Sequence, residues 1–247
     1  MTLRELLLLE PKLRTQQDYE AMYTTFVRRA GGYRVTERLA VPPGKKNADF
    51  WFEFEDVDFI LELKQITKYN PLRTVDLYFT ELIRRGKVKN VERIATGEIQ
   101  ITPDSLSRSD WRKFYEKFRP AIENGLKDAA VQLRDTAGLI GGPRRKIGGV
   151  VLLNSFDYGL PTDLLFRLCE HKIRSEWKFG SFRNVDFVSC LTVDLHAANV
   201  HPLHSRHIVR SNADEQLVDA VLYLQRNWLS FVGETMGFEA TVVPGTH

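Results

Sequence analysis

Apolar positions along the chain follow two periods, one near 3.6 and one of 2, and the changes between them mark out the elements. Tyr19, Met22, Tyr23 and Phe26 recur at helical spacing. Thr15 stands as N-cap with Asp18 three residues on, and Gly31-Gly32 ends the pattern. "YRVTERLAV" predicts a short strand closed by Pro42-Pro43-Gly44, and "NADFWFEFEDVDFILELKQI" predicts two more strands joined by a tight turn. Residues 72–86 suit a helix, and "VKNVERIATGEIQIT" suits a hairpin of two small strands. "SRSDWRKFYEKFRP" sets Trp111, Phe114, Tyr115 and Phe118 at i, i+3, i+4 and i+7, the stripe of an amphipathic helix. Leu126, Ala129, Ala130, Leu133 and Ala137 continue a helical stripe that Gly138 or Gly141-Gly142 ends. "KIGGVVLLNSF" and "VDFVSCLTV" have the uninterrupted aliphatic character of strands buried on both faces. "PTDLLFRLCEHKIRSEW" is a helix, and a last helix begins near Asn212 and Glu215, which can form a capping box. The order predicts an α/β fold, a mixed central β-sheet flanked by helices, with an α/β insertion at about 68–120.

Length and composition fit that picture. The chain has 247 residues, 43% of them hydrophobic, enough for one sizeable core, and no linker or repeat divides it, so a single domain over 1–247 is expected. Cys169 and Cys190 lie apart in apolar surroundings and no CxxC occurs, which suits a reduced, cytoplasmic protein. The four leucines near the start are fenced by Glu5 and Glu10, too short a run for a signal or a membrane span. Net charge is +3, but residues 68–119 hold 12 Lys or Arg against 7 Asp or Glu, a local excess of +5. That segment points to a polyanionic partner. Arg84, Arg85, Lys87, Lys89, Arg112 and Lys113, with Arg144 and Arg145 of "PRRK", are its candidate phosphate contacts.

The chemistry concentrates on the strand pair. A turn at Glu55-Asp56 makes the numbers of each cross-strand pair sum to 111, which sets Asp49 opposite Glu62. Lys64 shares the face of Glu62, while Phe50, Phe52, Phe54, Phe59, Leu61 and Leu63 take the other. Two facing carboxylates repel unless a cation joins them, and Mg²⁺ uses one or two protein carboxylates while keeping open positions. An ammonium beside the ion can orient water or stabilise charge on a phosphoryl group.

Asp49 followed after thirteen residues by Glu62 in "ELK" resembles the PD-(D/E)xK nuclease superfamily, the restriction-endonuclease-like fold. Ala48 stands where the family often has Pro. The resemblance implies that Asp49, Glu62 and the Leu63 carbonyl hold Mg²⁺, for which Mn²⁺ can substitute, and that Lys64 is the catalytic lysine. It also implies a Glu from the helix before the hairpin, here Glu20, and a polar residue from the helix after the motif strand, Gln132 or its rival Lys127. A helical wheel allows at most one of those two to point inward. The function implied is Mg²⁺-dependent hydrolysis of phosphodiester bonds, with DNA as first candidate and RNA as second, and with a homodimer or partner subunits by analogy. The alternatives are a nucleic-acid-binding or complex-forming protein that keeps the fold without catalysis, or a nuclease subunit active only with partners.

Other patterns carry less. His196, His201, His204 and His207 form a histidine-rich run, but Pro202 interrupts it and no cysteine pair completes a zinc site, so a loop or surface role is expected. Glu53 and Asp58 extend the polar face of the strand pair too near its turn to join the site.

Overall fold

The computed structural model describes residues 16–65, 71–88, 92–93, 99–100, 105–154, 162–180, 182–192 and 205–236. The elements are α1 (Gln16–Arg29), β1 (Tyr33–Arg34), α2 (Val35–Arg38), β2 (Phe50–Phe54), β3 (Val57–Gln65) and α3 (Pro71–Arg84). Then come β4 (Glu92–Arg93), β5 (Ile99–Gln100), α4 (Arg108–Ile140), β6 (Arg145–Asn154), α5 (Thr162–Lys178), β7 (Phe187–Thr192), β8 (Ser205–Val209) and α6 (Glu215–Met236). Six strands form a mixed sheet in the order β1-β2-β3-β6-β7-β8, and β4 and β5 form a separate two-stranded ladder. β3, β6 and β7 run parallel, while the β1–β2, β2–β3 and β7–β8 pairs are antiparallel.

Alternation along β3 divides its side chains between two cores. Val57, Phe59, Leu61 and Leu63 enter the cluster that α1 and α6 cover, with Phe26, Trp228 and Phe231 at its centre. Ile60 enters the opposite cluster, built by Phe114, Leu126, Ala129 and Leu133 of α4 and by Leu165, Leu168 and Ile173 of α5. Glu62 and Lys64, in step with Ile60, therefore share the α4 side of the sheet. β6 needs its glycines for this packing: a β-carbon at Gly149 would lie 2.0 Å from the Phe187 ring, and one at Gly148 would lie 2.0 Å from the Asn184 carbonyl.

Several local expectations are corrected. The segment read as one strand from Tyr33 makes only two strand residues before α2, because Glu37 accepts the Arg34 N–H and Leu39 donates back to Val35. α4 runs through Pro120 as one 33-residue helix capped by Ser107, so the presumed insertion boundary falls inside it. Pro120 is exposed, so its ring, which lacks the N–H of a helical residue, faces solvent rather than the core. Of the two expected stops, Gly138 and Gly141-Gly142, the helix takes the second, ending at Gly141 with φ 60°. Asp214, not Asn212, caps α6, accepting from Leu217 N at 3.1 Å. β8 lies where a histidine-rich loop was expected: His207 pairs with Ser189 across the ladder, and its Nδ1 is 2.7 Å from Ser189 Oγ. Thr15, Lys89, His196, His201 and His204, and the side chains of Tyr115 and Phe118, lie outside the described residues. No described helix is long and apolar enough to cross a membrane.

Candidate functional site

The β2–β3 hairpin has the anticipated register: Phe54 pairs with Val57, Phe52 with Phe59 and Phe50 with Leu61 around the Glu55-Asp56 turn. Asp49 immediately precedes β2 and is fixed on three sides. Its N–H donates to Leu61 O at 3.1 Å, its carbonyl accepts from Val35 N at 3.0 Å, and its Oδ2 accepts from Leu63 N at 2.9 Å. The N–H and C=O of one strand residue face the same neighbour, so the Leu63 carbonyl also looks toward the Asp49 side, beyond the start of β2.

Glu62 is 2% exposed. One of its oxygens, Oε1, accepts from Lys64 Nζ at 2.5 Å, and the other, Oε2, is buried without a nitrogen or hydroxyl donor. Burial, and then the charge of Asp49, push the Glu62 carboxyl up to about 8, against the pull of Lys64. Burial likewise raises Asp49, opposed by the Leu63 N–H and Lys64, with Glu20 adding to the rise. A hydrogen bond to Asp49 adds to the rise of Glu62, and two buried carboxyls in such contact can share one proton or, when ionised, one cation. Asp49, Glu62 and the Leu63 carbonyl thus fit a hard divalent ion in number and kind. Among the described residues no cluster of three or more His, Cys, Asp and Glu assembles, so these two acids act as a pair.

α4 completes the site. Gln132 accepts from Lys64 Nζ at 2.8 Å through Oε1 and donates through Nε2 to Asn47 O at 3.0 Å. One turn on, Thr136 Oγ1 accepts from Ala48 N at 2.7 Å, so α4 clamps Asn47 and Ala48, the two residues that deliver Asp49. Gly125, on the same side of the helix, leaves room for the Lys64 stem, with a virtual β-carbon 3.9 Å from its Cγ. Lys127 is instead exposed and paired with Glu123 at 2.8 Å, which settles its rivalry with Gln132. Lys64 remains 25% exposed, so the site opens to solvent on its side.

Glu20 comes near enough to act on Asp49 electrostatically, but its carboxylate is tied to Arg34. Arg34 is the residue that sequence reasoning missed. It lies on β1 opposite Phe50, 5.8 Å from that ring, and its charge also reaches Asp49. Thr136 was missed as well: a hydroxyl inside an apolar helical stripe was its one visible signal.

The basic candidates disperse. Arg84 and Arg85 both pair with Glu81, Arg112 with Glu116 and Lys87 with Asp110, all but Asp110 largely solvated, and Lys113 is exposed. Arg144 and Arg145 serve the fold: Arg144 binds Asp58 at 3.1 Å and the carbonyls of Glu55 and Val57, while Arg145 binds Asp214 and Gln216. Asp58 is thereby corrected from a surface residue to a buried one, 2% exposed and also held by Lys146 at 3.0 Å and Trp51 at 3.2 Å. Comparison with family models, curated proteins and solved structures gives no match.

Proposed function

We propose that the chain is a divalent-metal-dependent nuclease with a restriction-endonuclease-like core, hydrolysing phosphodiester bonds, with DNA as the leading substrate. The observation that carries this reading is Glu62 Oε2, buried beside Asp49 and next to a lysine that Gln132 holds in place. A solvated strand face would not bury one carboxyl beside another. Asp49, Glu62 and the Leu63 carbonyl would hold Mg²⁺ or Mn²⁺, which when bound would supply Lewis acidity and a more acidic water.

The chain's own groups do the rest. Lys64 Nζ, fixed between Glu62 and Gln132, has one N–H left to direct toward the open side of the site, where a phosphoryl oxygen gaining charge or an attacking water accepts it. Arg34 offers a planar guanidinium to phosphate oxygens once Glu20 releases it.

The deciding experiment incubates the purified chain with circular and linear, single- and double-stranded DNA and with RNA, in Mg²⁺ or in chelator, beside Asp49→Ala and Lys64→Ala. Metal-dependent cutting that either substitution abolishes, with circular dichroism unchanged, is expected. Binding without cutting under every condition overturns the enzyme in favour of a binding module. Cutting that appears only when a partner subunit is supplied identifies the chain as part of an assembly.

A further inference from the structure

At the far edge of the sheet, where α5 ends, a cavity of about 400 Å³ is lined by Arg174, Lys178, Arg183 and Arg210 with Trp177, Gly180, Ser211 and Asn212. Four cations and, among the described residues, no carboxylate line it; of the four, Arg174 also pairs with Glu170 at 2.9 Å and Arg210 lies 3.9 Å from Asp186, both acids outside the lining. Its volume falls within the range of ligand clefts, roughly 300–1,000 Å³, and its lining is far more cationic than an ordinary apolar pocket. The guanidinium groups are held in place from behind. Arg210 donates to Val185 O at 2.9 Å and Phe182 O at 2.6 Å and lies 5.6 Å from the Trp177 ring centre, while Arg183 donates to Gly180 O at 3.1 Å. Trp177 is itself pinned by its indole N–H on Val185 O at 2.9 Å. Each guanidinium has five N–H donors, and these bonds use only part of the set.

Beside the cavity, between Lys178 and Gly180, Phe179 is 78% exposed, the most exposed large apolar side chain among the described residues. No packing requirement of the fold explains a phenylalanine there. Pre-oriented guanidinium forks match phosphate oxygens, and a bare ring next to them offers a surface for a base.

We infer that this cavity binds a nucleotide unit of a single nucleic-acid strand, with Arg174, Lys178, Arg183 and Arg210 on its phosphates and Phe179 stacked on a base. A duplex, whose base faces are covered by stacking on the neighbouring pairs, presents no free face to that ring. The inference rests on the nuclease reading, whose substrate class it names, and assigns an anchor outside the 68–119 segment. The cavity lies on the α4–α5 side of the sheet, since Trp177 packs against that core, and β6 and β7 separate it from β3.

The test measures binding of a short labelled oligothymidylate in chelator, so that no cleavage is required. The proteins compared are wild type, Lys178→Glu/Arg183→Glu, Lys178→Ala/Arg183→Ala and Phe179→Ala, with Arg226→Glu, at an exposed arginine of α6 on the other side of the sheet, as the charge control that leaves binding unchanged. The charge reversal is expected to weaken binding about tenfold or more, and the double alanine to reduce the log–log salt slope by about 1.4, or 0.7 for each lost phosphate contact. Phe179→Ala is expected to cost about tenfold with little change in salt slope. Unchanged affinity in all three cavity variants overturns the inference, and so does equal competition by polyglutamate, which would mark a general anion site. Cleavage by wild type with no effect of the cavity variants on binding leaves the nuclease reading standing and the cavity reading refuted. Strand binding that the cavity variants weaken, in a chain that never cleaves, has the opposite meaning.

Discussion

Glu62 is the residue on which the proposed chemistry turns. Its folded carboxyl titrates near 8 against an ordinary value of 4.5, so between those values the native state holds a proton that the unfolded chain has lost. Its contribution to stability is therefore complete below about 4.5 and is lost as pH rises through about 8. Glu62→Gln keeps the shape, cannot ionise and gives Asp49 an amide donor. Without metal, the variant is expected to be more stable than wild type at pH 8 by about 1–3 kcal/mol and equally stable at pH 4, read by urea unfolding at both pH values. A variant less stable at pH 8 would mean that Glu62 is comfortably ionised in the fold. Gln132 works at one remove, by holding Lys64. Gln132→Ala is expected to lower kcat about 10- to 100-fold, to change KM little and to alter the shape of the pH–rate profile. A purely structural residue would lower stability and leave that profile where it was. At this scale the sequence was readable where geometry is local: a two-residue turn dictates the 111 register, and alternation then places Glu62 with Lys64. It was unreadable where partners are distant in the chain. Asp58 reads as surface because Arg144 and Lys146, which bury it, come 86 and 88 residues later.

Among the elements, α4 has the largest share in building the site and departs furthest from its sequence signal. Its face toward the hairpin carries Gly125, Ala129, Gln132, Leu133 and Thr136, close to the repeat of a helix, and that repeat is visible in the sequence. The wheel alone did not choose between Gln132 and Lys127. The choice depends on where β3 crosses, which is tertiary information. Continuity through Pro120 was equally hidden, because proline in a helical interior normally reads as a stop. Here the ring is exposed and the flanking turns are held by Phe114 on one side and Ile122 on the other, both buried, so packing outweighs the missing bond. Pro120→Ala restores the N–H and removes the ring without emptying any core. It is expected to raise stability by about 1–3 kcal/mol, measured as a higher Tm, with the Asp49–Glu62 pair untouched. A fall in Tm would show that the proline sets a bend on which the packing of α4 depends. β8 was missed for a different reason: Ser205–Val209 is short, and its neighbouring histidines suggested a loop, whereas a cross-strand partner in Ser189 gives His207 a place in the ladder.

Across the whole molecule, two buried groups oppose each other in how the fold responds to pH. Burial holds His207 down to about 4, against 6.5 in an exposed imidazole. The neutral ring therefore supports the fold fully above 6.5, and that support is lost as pH falls toward 4, because the unfolded chain takes the proton first. Glu62 has the reverse sign between 4.5 and about 8. The two overlap and offset each other from 4.5 to 6.5, and of the pair Glu62 alone acts from 6.5 to 8. His207→Gln, which keeps a polar partner for Ser189, is expected to remove the rise below 4.5 and to expose the Glu62-driven fall across 4.5–6.5, whereas Glu62→Gln is expected to abolish the fall above 6.5 and to expose the His207-driven rise across 4.5–6.5. A divalent cation separates the groups further. It needs the ionised Glu62 and has no business with His207, so Mg²⁺ is expected to raise the Tm of wild type and of His207→Gln at pH 8, by an amount that grows with its concentration, and to leave Glu62→Gln unmoved. If saturating Mg²⁺ or Mn²⁺ shifts none of the three proteins at pH 8, the paired carboxylates are a strained structural feature rather than a metal site. The hydrolytic proposal then loses the observation it stands on, while the fold, with its mixed sheet between α1–α6 and α4–α5, is unaffected.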